Sequence, residues 1–269
     1  MELRFSPLFS GSSGNATYVG CDDANLLVDA GVSGTRVIQE MKRVGVDPAC
    51  LDAILVTHEH NDHIKGIGIL SRKFDLPVYA TQGTWNAMFG KIGPVAEKNV
   101  RVFEPEQDFF IGSIDITPFP TPHDAAQPVG YTFETGGAKL AIATDLGCIR
   151  DSWLKHVLGA DAAILESNFD PGMLQTGPYP YELKRRIMGR HGHLSNDDAG
   201  EVAAELARHG VTQVILGHLS KENNYPELAL KCTEQALRLA GFTPGVDIQL
   251  LAAARDGCTG MFSVSAVLL

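Results

Sequence analysis

The sequence is short of the features that would set it apart from ordinary globular proteins. Its five cysteines, Cys21, Cys50, Cys148, Cys232 and Cys258, are odd in number, widely spaced and contain no C-x-x-C pair. That pattern argues against a disulfide framework or a cysteine-type zinc site and reads as free thiols in a reducing compartment. No apolar stretch approaches the roughly 18 residues that a membrane span needs. The opening residues Met1-Glu2-Leu3-Arg4-Phe5 lack the charged segment and apolar run of a signal peptide, so the expected location is cytoplasmic. Positive charge is also scarce. The 22 Lys and Arg face 32 Asp and Glu, for a net charge of −10. This speaks against a surface that coats nucleic acid or membrane. It does not exclude a nuclease, because bound metal ions add positive charge that composition omits. Linkers, repeats and low-complexity tracts are missing too. With 269 residues, 44% of them apolar, one large domain over residues 1–269 is the simplest expectation.

What is present alternates between strand and helix. Strand patterns run over 3–9, 16–19, 25–28, 52–57, 78–80, 162–165, 246–251 and 261–267, and strand signals dominate 100–142. Helical spacing begins after Ser33, a candidate N-cap, with Val37, Met41 and Val44 in register and Gly45 as the stop. Further helices are expected over 64–74, 180–188, 195–209 and 226–240. In the helix over 195–209, Ala199, Val202, Ala203 and Leu206 form an apolar stripe, with acids in its first turn. Trp85 and Trp153 lie on helical patterns and are expected to pack into the core. The early and late groups of strands suggest two packed sheets with helices outside, an α/β arrangement.

The strongest chemical signal is Thr57-His58-Glu59-His60-Asn61-Asp62-His63. It follows a buried-strand pattern and precedes a helix. Three imidazoles and two carboxylates within six residues are hard to explain by packing. Imidazole is the commonest neutral ligand of zinc-like ions, and carboxylate adds a hard oxygen donor. Alternating side chains at the end of a strand can aim His58 and His60 one way and Asp62 with His63 at a second point.

This motif resembles that of the metallo-β-lactamase superfamily, and the resemblance continues in order along the chain. A lone histidine follows in Thr121-Pro122-His123-Asp124, an acid in Ala143-Thr144-Asp145, and a last histidine in Ile215-Leu216-Gly217-His218. The resemblance implies a four-layer αββα sandwich with metals at one edge between the sheets. It implies His58, His60 and His123 on one divalent ion, Asp62, His63 and His218 on a second, and Asp145 bridging. The nucleophile would be a metal-bridging hydroxide, with no covalent serine or cysteine intermediate. Histidine at position 60, where the di-iron oxidoreductase branch usually has glutamate, implies hydrolysis over redox chemistry. Zinc and manganese suit such mixed ligands, and iron is possible.

Further segments narrow the resemblance to the YycJ (WalJ) family over nearly the whole chain: Ser10 to Ala16, His58 to Gly66, Glu166-Ser167-Asn168-Phe169-Asp170, Gly177-Pro178-Tyr179-Pro180 and Gly192-His193-Leu194-Ser195-Asn196. That family is associated with 5′-to-3′ exonuclease action on double-stranded DNA and with repair. Many members carry histidine where this chain has Phe169, which is therefore given no role. The stretch 146–217 is too short for the large extra domain of the RNA-processing relatives. The expected function is thus a dinuclear phosphodiesterase acting on a DNA end with a 5′-phosphate. The rivals are a hydrolase of a small phosphodiester, lactone or thioester, and a non-catalytic metal-binding regulator.

Asp62 and His193 are the candidate catalytic residues. His193 and Ser195 stand before an expected helix whose free N–H groups can cradle an anion, and His193 can serve as general acid. Ser195 can equally be a plain N-cap, with Asp198 closing a capping box. Ser13, Asn15 and Asn168 complete the candidate substrate contacts. Ser10 to Asn15 also reads as an ordinary hairpin loop. Lys184, Arg185, Arg186, Arg190 and His191 form the densest basic cluster and either track a phosphodiester backbone or simply face solvent.

Overall fold

The computed structural model describes residues 2–265, which fold as two compact units. The first comprises residues up to Pro120, Ala125–Ala138 and the segment from Ala254 onward; the second comprises Thr121–Asp124 and Lys139–Ala253.

The first unit holds a seven-stranded sheet in the order β14-β1-β2-β3-β4-β5-β6. The strands are β1 (Glu2–Phe9), β2 (Ala16–Gly20), β3 (Asn25–Val28), β4 (Ala53–Leu55), β5 (Val78–Thr81), β6 (Val100–Phe103) and β14 (Phe262–Ser265). β14, β1, β2 and β3 pair antiparallel, and β3 to β6 pair parallel. Helices α1 (Gly34–Arg43), α3 (Ile67–Phe74) and α4 (Gln82–Met88) serve the parallel half as crossovers. Val37, Met41, Ile67, Leu70, Trp85 and Met88 meet Leu27, Ile54, Val56 and Val78 in one buried cluster. Burying each such side chain contributes roughly 1.5–3 kcal/mol. A three-stranded meander, β7 (Phe109–Ile111), β8 (Ile114–Pro120) and β9 (Val129–Thr135), belongs to the same unit. It is tied down by the buried Tyr131, whose hydroxyl donates to the Val56 carbonyl at 2.7 Å.

The second unit is built on four parallel strands, β10 (Ala138–Ala143), β11 (Ala162–Glu166), β12 (Gln213–Gly217) and β13 (Gln249–Ala252), in sequence order. Around them are α5 (Asp151–Val157), α6 (Pro171–Thr176), α7 (Tyr181–Ile187), α8 (Asn196–Arg208) and α9 (Pro226–Leu239). The expected stripe Ala199, Val202, Ala203 and Leu206 is buried on α8. α8 and α9 approach closely at Gly200, where an added Cβ would lie 2.9 Å from the Ala236 methyl.

Some boundaries differ from the sequence expectation. The helix expected over 64–74 is two pieces, α2 (Asn61–Ile64) and α3, interrupted at Lys65 and Gly66. A side chain at Gly66 would collide with the Val32 carbonyl at 2.5 Å, so backbone crowding rather than helical periodicity sets this segment. The strand expected over 246–251 starts only at Gln249, because Val246 and Asp247 bond back to the Thr243 carbonyl in a turn. The strand expected over 261–267 is seen as Phe262–Ser265; residues 266 and 267 lie outside the described part. α6 was not among the helices expected from the sequence; Asp170 caps it by accepting from Met173 N, and Leu174 is its buried residue. Among the described residues no helix is long and apolar enough to cross a membrane.

Candidate metal centre

Most of the candidate ligands sit just beyond the C-terminal ends of parallel strands, the usual place for ligand sites in open α/β sheets; His123 instead follows the antiparallel β8, and His193 precedes α8. β4 leads into the His58–His63 segment, β10 into Asp145, and β12 directly into His218. Two of these turns, and the one after β3, use a left-handed residue other than glycine: Asp145 (φ 59°), His218 (φ 56°) and Asp29 (φ 60°). Such conformations are uncommon outside glycine, are tolerated best by Asp, Asn and His, and cluster at functional sites.

In the first unit His58, His60, Asp62 and His63 share a single loop and the short α2. His58 and His63 are buried, and His60 and Asp62 are partly exposed. The ring of His58 lies 4.5 Å from that of His60 and 4.1 Å from that of His63, centre to centre. The buried Asp29 organises the loop. It accepts from Thr57 N at 2.9 Å, Thr57 Oγ1 at 2.7 Å and His63 Nδ1 at 2.8 Å. Thr57 Oγ1 lies 3.0 Å from His58 Nδ1. Glu59, the carboxylate not assigned to metal, accepts from Ala126 N at 2.9 Å and so pins its own loop. The neighbouring Gly-Ser loop closes from the other side. Asn15 N donates to the Asp62 carbonyl, and Gly31 N to the Asn15 carbonyl. At Gly31 a Cβ would stand 1.6 Å from the Asp62 carbonyl oxygen, so only glycine fits there. Asn15 is buried, with Nδ2 3.0 Å from His63 Nε2; Ser13 is exposed.

In the second unit His123, Asp145, His193 and His218 converge from four separate segments. Asp145 Oδ1 is 3.6 Å from His123 Nε2, 3.8 Å from His193 Nδ1 and 3.5 Å from His218 Nδ1. One donor atom each from Asp145, Glu166, His193 and His218 can be chosen so that all lie within 4.8 Å of one another. Glu166, fully buried at the end of β11, is the hub. It accepts from His193 Nδ1 at 2.8 Å, His218 Nδ1 at 2.7 Å, Leu146 N at 2.7 Å and Leu194 N at 3.2 Å. Burial alone would raise its pKa. The charge and hydrogen bond of His193, joined by those of His218, outweigh burial and hold the carboxyl well below its ordinary range. For His123 burial wins instead. It pushes the imidazole pKa down against the opposing pull of Asp145, Glu166 and Asp124, which favours the neutral, ligating form.

The donors fit a divalent cation. His63, His123 and His218 each have Nδ1 tied to an acceptor, respectively Asp29, the Gly192 carbonyl at 3.0 Å, and Glu166. Bonds of this kind fix the tautomer of metal-binding histidines and present Nε2 to the ion.

The other candidate residues lie close by in the second unit. Ser195 forms the capping box of α8, its hydroxyl donating to Asp198 Oδ2 at 2.6 Å and accepting from Asp198 N. Asn168 is buried and donates to the His218 carbonyl at 2.7 Å, so its amide holds the turn at the end of β12. Phe169 is buried and its backbone bridges to Ser195. Trp85 and Trp153 are packed as expected. Asp29 and Glu166 had no role in the sequence expectation. Each is an acid at the C-terminal end of a buried strand, and that position was the available signal.

Residues 24–219 match the family model described as the beta-lactamase superfamily domain. The chain is 43% identical over 245 residues to "Exodeoxyribonuclease YycJ" of Bacillus anthracis, covering 91% of this chain and 93% of that one. It is 38% identical over 264 residues to "Exodeoxyribonuclease WalJ" of Streptococcus pneumoniae, covering 97% and 98%. The crystal structure of the metallo-beta-lactamase fold protein YhfI from Bacillus subtilis superposes with a TM-score of 0.73 at 19% identity, covering 98% of this chain and 100% of that one. That likeness bears out the sandwich fold class expected from the sequence.

Proposed function

The chain belongs to the metallo-β-lactamase superfamily and is a metal-dependent hydrolase, and from this premise we propose that it is a dinuclear phosphodiesterase trimming double-stranded DNA from a 5′-phosphorylated end, 5′ to 3′. In this reading the centre takes two zinc or manganese ions. His58, His60 and His123 would hold one ion, Asp62, His63 and His218 the other, with Asp145 serving both. Bound divalent ions supply Lewis acidity toward a phosphoryl oxygen and make water acidic near neutral pH.

The remaining work falls to the chain's own side chains. The observation that carries the proposal is His193, partly exposed, with Nδ1 held by Glu166 at 2.8 Å and Asp145 Oδ1 only 3.8 Å away. With Nδ1–H donated to Glu166, Nε2 is the nitrogen that meets substrate. There it donates to a phosphate oxygen and hands its proton to the departing 3′ oxygen. Glu166 stabilises the charged ring before the transfer and keeps its orientation after it. The relatives named exodeoxyribonucleases, covered almost end to end, favour DNA over a small diester or thioester.

The test is digestion of a 5′-end-labelled duplex with manganese or zinc, comparing phosphate with hydroxyl ends. Shortening from the 5′-phosphate end is expected. His193→Ala should retain its metal and lose turnover by about 100-fold or more, the scale of general-acid catalysis. Intact DNA alongside cleavage of a generic small phosphodiester would replace this reading with the small-substrate one.

A further inference from the structure

Helix α7 stands out among the longer elements because none of its seven residues is buried. A helix normally gains its stability by burying one face, so this one is held by other means. Lys184 Nζ donates to the carbonyls of Gln175 and Gly177 at 2.8 and 2.7 Å. Arg186 forms a two-pronged pair with Asp124 at 2.5 and 3.2 Å. The Ile187 carbonyl accepts from His193 N, and the Asp124 N–H donates to the His191 carbonyl. These anchors fasten the helix to the segments that carry His123 and His193. What they leave outward is a second face. Tyr181, Arg185 and Met188 follow at i, i+4 and i+7, and all are exposed, Tyr181 by 70% and Met188 by 43%. The Arg185 guanidinium lies 5.9 Å over the Tyr181 ring.

The charge of this segment opposes that of the whole chain. From Lys184 to His193 there are four cations, two histidines and no acid, in a protein of net charge −10. The single acid on α7, Glu182, is 3.9 Å from Arg185 in an exposed pairing that a phosphate replaces at small cost. An exposed aromatic beside a guanidinium, on a locally basic strut, has the make-up of a base-stacking platform for a nucleic-acid strand.

We propose that the outer face of α7 seats an unpaired base at the end of a DNA strand, with Tyr181 as the stacking surface and Arg185 and Arg190 along the phosphates. This rests on the nuclease reading and adds how the strand end is gripped. It ties the grip to the catalytic segments through the Arg186–Asp124 pair and the Ile187–His193 bond.

The test is binding of the full metal-loaded chain, by fluorescence anisotropy, to a cleavage-resistant phosphorothioate duplex. The duplex carries a short overhang, either with normal bases or with abasic sites. The wild type is expected to prefer the normal overhang by about ten-fold. Tyr181→Ala should abolish that preference, and Tyr181→Trp should keep it. Arg185→Ala should lower the slope of log affinity against log salt by about one. Because Tyr181 is exposed, thermal melting should show all variants folded. Equal wild-type affinity for both overhangs, or a preference that survives in Tyr181→Ala, overturns the platform while duplex cleavage leaves the nuclease reading standing. A wild type that neither binds nor cuts DNA removes both.

Discussion

The two units gather their candidate metal-binding side chains by opposite means. In the first, His58, His60, Asp62 and His63 occupy one short loop, and a single buried carboxylate, Asp29, steadies it through Thr57 and His63. In the second, His123, Asp145, His193 and His218 come from segments far apart in sequence. Asp145 and His218 meet beside Glu166 because β10, β11 and β12 run parallel in register, so that their C-terminal ends fall side by side, while the segment before α8 adds His193, bonded to Glu166, and holds His123 through the Gly192 carbonyl. Glu166, at the end of the middle strand, bonds to groups from three of those segments at once. A clustered loop can be braced locally, whereas a dispersed site needs a central buried acceptor and depends on the whole sheet.

That contrast is breakable at Glu166, where the largest effect is expected. Glu166→Ala leaves two imidazoles and two backbone N–H groups without their buried acceptor, a loss of about 3–5 kcal/mol. Denaturant unfolding should show it, together with loss of turnover; an unfolding midpoint like that of the wild type would mean that the second unit is not organised around this carboxylate. The matching change in the first unit, Asp29→Asn, keeps shape but removes the acceptor that sets the His63 tautomer. Metal affinity should fall about 10- to 100-fold, read by competition with a chelating dye, with a smaller loss of stability than for Glu166→Ala. A larger loss would reverse the comparison.

Ser195→Ala separates capping from substrate contact. If the hydroxyl serves only the capping box, stability falls by about 1 kcal/mol while kcat and KM on DNA hold. A raised KM would give Ser195 a second role. The smallest effect is expected away from both sites, at Glu40. Its carboxylate accepts from Cys258 N at 2.8 Å, and this bond, opposed by desolvation, lowers its pKa below the ordinary carboxylate value. A lowered folded pKa means that the stabilisation is complete above the unfolded value and fades as pH falls through the folded one. Glu40→Gln should therefore lower stability slightly at pH 7 and flatten the acid limb of the stability profile. An unchanged limb would show that this bond contributes nothing measurable.

The legibility of the site followed the same division. The His58–His63 cluster was evident from local density, because side chains packed into so short a stretch at the end of a strand cannot avoid one another. His123, Asp145 and His218 carried little signal singly and were recognised only as an ordered set resembling a family. Asp29 and Glu166 were not assigned roles, since an isolated acid after a strand looks like any turn residue until its hydrogen-bond donors are seen. The apolar faces of α1, α8 and α9 were readable from their periodicity. The break at Gly66 was not, because it depends on the approach of Val32, distant in sequence.

The sequence by itself determined which residues could bind metal, where the buried strands and amphipathic helices would form, and that the chain would be acidic with one local basic stretch. These are properties of composition and short-range spacing. Only the tertiary structure decided which acid serves as a hub, which hydroxyl is committed to a cap, and which face of α7 is left outward. Each of those depends on the partners that buried polar groups find from elsewhere in the chain, and desolvation makes finding one obligatory.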